Sequence, residues 1–169
     1  MARTSKARAP IRLLVLDVDG VLTDGRLYYG ARGQTLQAFH VRDGHGIKAL
    51  LAAGITIAVI SGRRTRGVVL RCRELGIRAV HQGVADKLAC LTAIRRKLKI
   101  ELRACAAVGD DSADAPVLRA VGVSYAVADA HADARRAATH ATRLPGGRGA
   151  VREVCDALLA RRTARHGNV

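Results

Sequence analysis

Three short polar clusters interrupt apolar stretches of the chain, and their side chains could perform chemistry together. Asp17 and Asp19 follow one apolar run, Ser61-Gly62-Arg63 follows a second, and Gly109-Asp110-Asp111 follows a third. Carboxylates gathered in one place repel each other, which raises their pKa values. A hard divalent cation relieves this repulsion, and Mg²⁺ suits one or two carboxylates combined with water and a substrate phosphate. Such residues predict a magnesium-assisted phosphate site, whereas singly they could simply cap helices or turns.

The segments around these clusters alternate between strand and helix patterns. Continuous apolar runs predict strands buried on both faces at residues 13–16, 55–60 and 104–108. Amphipathic stretches predict the intervening helices at residues 43–53, 65–75 and 85–98. This alternation is typical of an α/β fold with a doubly wound (Rossmann-like) parallel sheet, whose strands end at one edge where ligands bind. The polar clusters are therefore expected to converge at that edge.

The rest of the chain predicts one domain with a small insertion. The length of 169 residues favours a single domain, placed at residues 11–162 between a flexible N-terminal arm (1–10) and a flexible basic tail (163–169). Two candidate strands at 26–29 and 35–39 predict a β-hairpin at about residues 26–39, and this insertion is too short for a separate cap domain. Further strands are expected at 78–81 and 123–127, and further helices at 114–120, 131–138 and 150–161.

Charge and composition restrict the partners and the compartment. The formal net charge of +15 favours anionic partners. Aromatic residues are only 2% of the chain, and no recognition-helix or zinc signature accompanies the charge, so no nucleic-acid partner is expected. The sequence has no apolar leader and no apolar stretch near 18 residues, so no membrane association is expected. Four cysteines without a C-x-x-C pair fit a reducing, cytoplasmic location.

The polar clusters also carry a resemblance to a known family. The segment from Asp17 to Gly25 resembles the first motif of the haloacid dehalogenase-like phosphatases, Ser61 the second, Lys87 the third, and the segment from Gly109 to Asp114 the fourth. The chain is most similar to the 3-deoxy-D-manno-octulosonate 8-phosphate (KDO 8-phosphate) phosphatases of lipopolysaccharide precursor synthesis. The resemblance runs from about residue 11 to residue 159, with supporting segments at 41–48, 75–77, 127–130 and 146–153.

The resemblance implies an aspartyl-phosphate mechanism. Asp17 would attack the phosphorus as nucleophile, and Asp19 would protonate the leaving sugar oxygen and then activate water. A carboxylate two residues from the nucleophile would face the same side of an extended chain. Ser61 would donate a hydrogen bond to the phosphoryl group, and Lys87 would stabilise the added negative charge.

The same resemblance implies a cofactor and its supporting residues. Mg²⁺ would be held by the Asp17 carboxylate, the backbone carbonyl of Asp19 and the Asp110 carboxylate. Asp111 and Asp114 would orient water or Lys87.

The phosphorylated sugar acid would be bound by a wider set of residues. By resemblance this set comprises His40, Val41, Arg42, Asp43, Gly44, Lys48, Arg63, Arg71 and Lys87. An Arg offers a fork for the sugar carboxylate, whereas a Lys acts as a point charge. Arg71 could instead lie on a solvated helix face, and His40 could instead pack or cap the backbone.

Two alternatives to this function stay open in the sequence. One is a related phosphatase acting on a sialic-acid-type (nonulosonate) phosphate or another small phosphate ester. The other is a catalytically silent oligomerisation domain, a reading opposed by the presence of Asp17, Asp19, Lys87 and Asp110.

The resemblance also implies a homotetramer in which hairpins pack together and a neighbour's C-terminal segment covers the site. Residues 142–150 contain Gly146, Gly147 and Gly149, which would make this segment flexible enough to reach across. Its Arg143 and Arg148 could then contact anions. The alternative is an ordinary surface loop before the last helix.

Overall fold

A central parallel sheet organises the computed structural model of this chain, which describes residues 9–166. In that part of the chain, the sheet comprises six strands: β1 (Leu13–Leu16), β4 (Thr56–Ser61), β5 (Ala79–Gln82), β6 (Cys105–Gly109), β7 (Val123–Ala126) and β8 (His140–Ala141). They pair in the order β5-β4-β1-β6-β7-β8, and every pairing is parallel. Their carboxyl ends therefore share one edge, as the apolar runs predict.

Helices cover both faces of this sheet. Successive side chains of a strand point to opposite faces, and all four residues of β1 are buried. One group of helices in mutual contact comprises α1 (Val41–Ala52), α2 (Arg66–Leu75) and α6 (Ala150–His166). The other comprises α3 (Lys87–Leu98), α4 (Ala115–Ala120) and α5 (Ala132–Ala137). The doubly wound α/β prediction is confirmed.

A β-hairpin is inserted between β1 and α1. Its strands β2 (Tyr28–Gly30) and β3 (Gly33–Leu36) pair antiparallel and form a sheet of their own. Both strands are shorter than predicted and lie closer to the turn that joins them. Gly33, the first residue of β3, adopts a φ of 104° at this turn, a conformation that favours glycine. No cap domain lies within the described residues, and no helix there is long and apolar enough to cross a membrane.

The predicted arm and tail at the two ends of the chain can be compared with the structure only in part. Residues 1–8 of the predicted arm and 167–169 of the predicted tail lie outside the described residues. Helix α6 continues to His166, so residues 163–166 are helical, and the predicted end of this helix at 161 was wrong. No glycine or proline interrupts the sequence between Ala150 and Gly167, which gives the helix no reason to stop earlier.

Candidate active site

Three carboxylates converge at the carboxyl edge of the sheet. Asp17 directly follows β1 and Asp110 directly follows the neighbouring strand β6. The Asp17 backbone N–H donates to the Val108 carbonyl at 3.2 Å, which fixes the two strand ends against each other. One carboxylate oxygen from each of Asp17, Asp110 and Asp114 lies within 4.8 Å of the other two. The convergence expected from the strand ends is therefore present in the fold.

Lys87 joins two of these carboxylates. It is the first residue of α3, and its ammonium lies 2.9 Å from Asp17 Oδ1 and 2.7 Å from Asp114 Oδ1. Burial lowers the pKa of Lys87, but the two carboxylates raise it by more, so the net shift is upward. Lys87 is therefore a buried cation held by two anions, which is the form of ion pair that tolerates burial.

Asp114 is fully engaged by its neighbours. Its Oδ1 accepts a hydrogen bond from Lys87, and its Oδ2 accepts from the backbone N–H groups of Asp110 at 3.0 Å and Asp111 at 3.2 Å. Asp111 in turn caps the short 3₁₀ turn Ser112–Asp114 with its own carboxylate. Asp114 thus orients Lys87 and the backbone that carries Asp110, whereas Asp111 shapes the turn.

Asp17 and Asp110 are compensated less completely than Asp114. Burial and the nearby Asp114 charge raise the pKa of Asp17 to about 6, although Lys87 opposes the shift. Burial and the charges of Asp17 and Asp114 raise the pKa of Asp110 to about 8. Asp110 Oδ1 is buried with no hydrogen-bond partner among the described residues. A buried carboxylate oxygen of this kind, beside a second carboxylate, fits a hard divalent cation.

Gly20 is required for this close arrangement. It adopts a φ of 89°, and a Cβ at this position would lie 2.0 Å from Asp110 Oδ2. The turn that holds it is closed by the Val18 carbonyl, which accepts from the backbone N–H groups of Val21, Leu22 and Thr23. The backbone after Asp17 can therefore approach the Asp110 carboxylate only because residue 20 has no side chain.

Asp19 and Ser61 lie at the same edge but outside this ionic cluster. Asp19 is part of the turn after Asp17, so the backbone between the two residues is not extended as was assumed, and the shared orientation of their side chains stays a prediction. Its Oδ1 lies 4.0 Å from Arg63 Nη1, with both side chains partly exposed. Ser61 is buried at the end of β4 and its Oγ accepts from the Arg63 N–H at 3.2 Å, which leaves the hydroxyl proton for another acceptor.

Most of the predicted substrate-binding residues lie along α1 and α2, whereas Arg63 follows β4 and Lys87 begins α3. His40 caps α1, because its Nδ1 accepts from the Arg42 N–H at 3.2 Å. Val41, Arg42 and Lys48 are exposed on α1. Arg71 is not on a fully solvated face: its side chain is 18% exposed, pairs with Glu74 at 3.0 Å and occupies the space that a Cβ on Gly44 would need.

Asp43 differs from the expectation for a ligand contact. Its side chain is buried, and its Oδ1 accepts from the Arg152 N–H in the first turn of α6 at 2.8 Å. Burial raises the pKa of Asp43, although the Arg152 hydrogen bond opposes the shift. The structure thus gives Asp43 a role in joining α1 to α6, which no local sequence signal indicates.

The segment expected to reach a neighbour instead packs on its own chain. The Gly147 N–H donates to the Val21 carbonyl at 2.9 Å, and the Gly146 N–H donates to Asp129 Oδ1 at 2.9 Å. Arg148 Nη2 lies 3.7 Å from Asp24 Oδ2. Here Gly146 and Gly147 allow close backbone contact rather than reach, and their adjacency in the sequence was the signal for it. Arg143 is 91% exposed at the start of this segment.

Comparisons with known proteins agree with this geometry. A family model for haloacid dehalogenase-like hydrolases matches residues 77–151. The chain is 52% identical to 3-deoxy-D-manno-octulosonate 8-phosphate phosphatase KdsC of Escherichia coli strain K12 over 149 residues, which cover 88% of this chain and 79% of the relative.

Solved structures give the same answer. The crystal structure of 3-deoxy-D-manno-octulosonate 8-phosphate phosphatase from Yersinia pestis superposes with a TM-score of 0.90 at 46% identity, covering 95% of this chain and 86% of the other. The enzyme from Moraxella catarrhalis, in complex with a magnesium ion, a phosphate ion and a KDO molecule, has a TM-score of 0.87 at 42% identity, covering 89% and 87%. The chain therefore belongs to the 3-deoxy-D-manno-octulosonate 8-phosphate phosphatase family of haloacid dehalogenase-like hydrolases.

Proposed function

We propose that this chain is a magnesium-dependent phosphomonoesterase that hydrolyses KDO 8-phosphate to the free sugar acid and phosphate, in lipopolysaccharide precursor synthesis. Family membership supports the reaction class and the substrate. The observation that carries the proposal is the pairing of buried Asp17 with Lys87, next to an Asp110 oxygen that has no hydrogen-bond partner within residues 9–166.

The reaction proceeds in two displacements. A carboxylate oxygen of Asp17 forms a bond to phosphorus while the bond from phosphorus to the sugar oxygen breaks, and Asp19 gives its proton to that oxygen. Asp19 then removes a proton from water, whose oxygen attacks phosphorus and releases phosphate from Asp17. Because the pKa of Asp17 is about 6, this group is largely ionised at neutral pH and ready to attack.

Lys87 and Ser61 would act on the phosphoryl group. Lys87 already neutralises Asp17 and lies at the N-terminus of α3, so it can share its charge with an incoming phosphoryl oxygen. Ser61 would have its hydroxyl proton available, since the hydrogen bond found for its oxygen in the described part of the chain is accepted from the Arg63 N–H.

Mg²⁺ would be held by the carboxylates of Asp17 and Asp110 and by the backbone carbonyl of Asp19. Asp114 is the weaker candidate ligand, because both of its oxygens are already used by Lys87 and by backbone N–H groups. When bound, the cation supplies positive charge that offsets the repulsion between the nucleophile and the phosphate.

Basic side chains on α1 and after β4 support an anionic sugar-acid substrate. Arg42 is exposed in the first turn of α1, and Arg63 follows β4 at the carboxyl edge of the sheet. We propose that Arg42 and Arg63 bind the sugar carboxylate, with Lys48 contributing a more distant charge.

The decisive experiment compares Asp17→Asn with the wild type and with Asp156→Asn. Asp156 pairs with Arg152 on α6 and serves as a matched carboxylate outside the cluster. We expect Asp17→Asn to fold and to lose phosphate release from KDO 8-phosphate by roughly a thousandfold or more, as loss of a nucleophile generally does, while Asp156→Asn stays close to wild type.

Three results would contradict the proposal. Turnover retained by Asp17→Asn would remove Asp17 as nucleophile. A higher kcat/KM with a nonulosonate phosphate would replace the substrate. A wild-type protein that releases no phosphate from either ester with Mg²⁺ would indicate the silent oligomerisation domain.

We further propose a cytoplasmic homotetramer assembled through the hairpin. Leu27, Tyr28, Tyr29 and Leu36 are exposed on or beside the hairpin, with Tyr29 68% and Leu36 67% exposed. Apolar surface concentrated on a small projection is typical of an association site. The cysteines Cys72, Cys90, Cys105 and Cys155 are all free, which suits a reducing compartment.

A charge placed on this apolar surface tests the assembly. We expect Tyr29→Lys to shift the protein from tetramer towards smaller species in sedimentation velocity. Leu98→Lys is the control, because Leu98 is an exposed leucine at the far end of α3. A monomeric wild type, or equal dissociation by both substitutions, would exclude the hairpin as the interface.

A further inference from the structure

The backbone of residues 146–147 lies directly behind the proposed cation site. A Cβ on Gly146 would lie 1.6 Å from the Gly20 carbonyl oxygen, and a Cβ on Gly20 would lie 2.0 Å from Asp110 Oδ2. The three residues therefore pack in three successive layers: the Gly146 backbone, then the Gly20 backbone, then the Asp110 carboxylate. No side chain separates one layer from the next.

The outer layer of this stack is fixed at several points. The Gly146 N–H is held by Asp129 after β7, and the Gly147 N–H by the Val21 carbonyl. A Cβ on Gly147 would lie 2.3 Å from the backbone N of Asp24, so this contact is also tight. Glu153 of α6 accepts from the Arg143 backbone N–H at 3.0 Å and so fixes the start of the segment.

The inner layer cannot absorb a displacement by itself. Residues 18–23 form a turn closed by three hydrogen bonds to the Val18 carbonyl, so a push on Gly20 moves the turn that follows Asp17. On its other side, Gly20 meets a buried carboxylate. Atoms packed this closely transmit a shift of a few tenths of an ångström instead of damping it.

We infer that Gly146 and Gly147 are positioning residues that set the spacing between the Asp17 turn and the Asp110 carboxylate, and thereby the affinity of the site for its divalent cation. This inference rests on the proposed function, which places the cation between Asp17 and Asp110. Gly146 would act through Gly20, and Gly147 through the backbone of Thr23 and Asp24 at the end of the same turn.

Alanine substitutions combined with direct metal binding test this role. Gly146→Ala adds a Cβ against Gly20 without requiring a positive φ, and Gly147→Ala adds one at a φ of 64°. Gly54→Ala is the matched control for Gly147: its φ is 77°, but no atom lies within 4 Å of the added Cβ. Calorimetric titration with Mg²⁺ in the absence of substrate gives the affinity independently of turnover.

We expect Gly146→Ala and Gly147→Ala to bind Mg²⁺ roughly tenfold more weakly or worse, as loss of support behind a metal ligand commonly does. Gly54→Ala should lose stability through its strained φ and keep the wild-type affinity. Asp129→Ala removes the anchor of Gly146 without adding volume, and should weaken Mg²⁺ binding even if Gly146→Ala does not fold.

The outcomes separate this inference from the proposed function. A wild-type protein that binds no Mg²⁺ would refute the cation site itself. A wild type that binds, together with folded Gly146→Ala, Gly147→Ala and Asp129→Ala variants of unchanged affinity, would refute only the positioning role. Equal weakening in Gly54→Ala would do the same, because it would trace the effect to general stability.

Discussion

The three clustered aspartates differ in what their oxygens contact, and this difference decides their chemistry. Asp114 uses both oxygens in hydrogen bonds, Asp17 shares one with Lys87, and Asp110 leaves Oδ1 buried without a partner in the described chain. Deprotonating Asp110 is therefore the most costly step in the metal-free protein, which explains its pKa of about 8.

This raised pKa predicts how the metal-free protein responds to pH. Between pH 6 and pH 8, native Asp110 retains a proton that an unfolded Asp has already lost, so the free energy of unfolding falls as pH rises, by at most about 1.4 kcal/mol per pH unit. Urea denaturation in EDTA across this range would measure the slope.

Two controls accompany the pH series. Asp110→Asn should flatten the slope, because the amide has no proton to lose, and saturating Mg²⁺ should reverse the loss of stability at pH 8. A metal-free wild type that gains stability from pH 6 to pH 8 would contradict the assignment.

The spatial neighbours of a residue could be predicted where the residue lies at the end of a strand in the parallel sheet. Asp17, Asp110 and Lys87 could be grouped because each lies at the carboxyl edge of a parallel sheet, or at the start of a helix that begins there. The contacts of Asp43 could not be predicted, because its partner Arg152 lies 109 positions away in the sequence. The assigned roles of Asp19 and Ser61 stay predictions.

At the scale of elements, Asp43 joins two helices, α1 and α6, that are far apart in the sequence. It belongs to the first turn of α1 and accepts from the N–H of Arg152 in the first turn of α6. A carboxylate at this position supplies the hydrogen bond that a residue at the N-terminus of α6 would otherwise provide.

Removing this acceptor should destabilise the fold. We expect Asp43→Ala to lower the free energy of unfolding by about 2 kcal/mol, because it leaves the Arg152 N–H without its partner. Asp43→Asn keeps an accepting oxygen and removes a charge that burial disfavours, so it should cost much less. Urea unfolding curves decide the matter, and equal losses for the two variants would show that charge rather than the hydrogen bond is responsible.

Element boundaries were predictable in the core and less so at the periphery. The β1 strand coincides with its apolar run, and β4 and β6 lie within one residue of theirs, because burial on both faces demands uninterrupted apolar residues. The two-residue strand β8 was missed, since His140 and Ala141 are exposed and carry no apolar pattern. The hairpin strands were displaced for the same reason, since Tyr28–Gly30 and Leu36 are exposed.

At the scale of the whole molecule, a group of exposed cations lies away from the carboxylate cluster. Exposed cations occur where helices end or strands begin, at the edge opposite the site: Arg12, Arg78, Arg96, Lys97, Lys99 and Arg103. Arg96, Lys97 and Lys99 lie at the C-terminal end of α3, where basic residues interact favourably with the helix dipole. Its consequence for an anionic substrate is a long-range attraction produced by the net charge of +15.

That attraction predicts a dependence of substrate capture on salt. Surface charges act over about 10 Å at 0.1 M salt and about 3 Å at 1 M, so kcat/KM for a phosphorylated sugar acid should fall by roughly tenfold from low to high salt. Chemistry at the buried Asp17 is screened much less, so kcat should stay nearly constant. Steady-state kinetics at saturating Mg²⁺ across a sodium chloride series would show both effects. The double substitution Lys97→Glu with Lys99→Glu replaces two positive charges by two negative ones far from the site, which lowers the net charge from +15 to +11. It should flatten the salt dependence of kcat/KM without changing kcat. A kcat/KM that is insensitive to salt in the wild type would show that the basic surface plays no part in capturing the substrate.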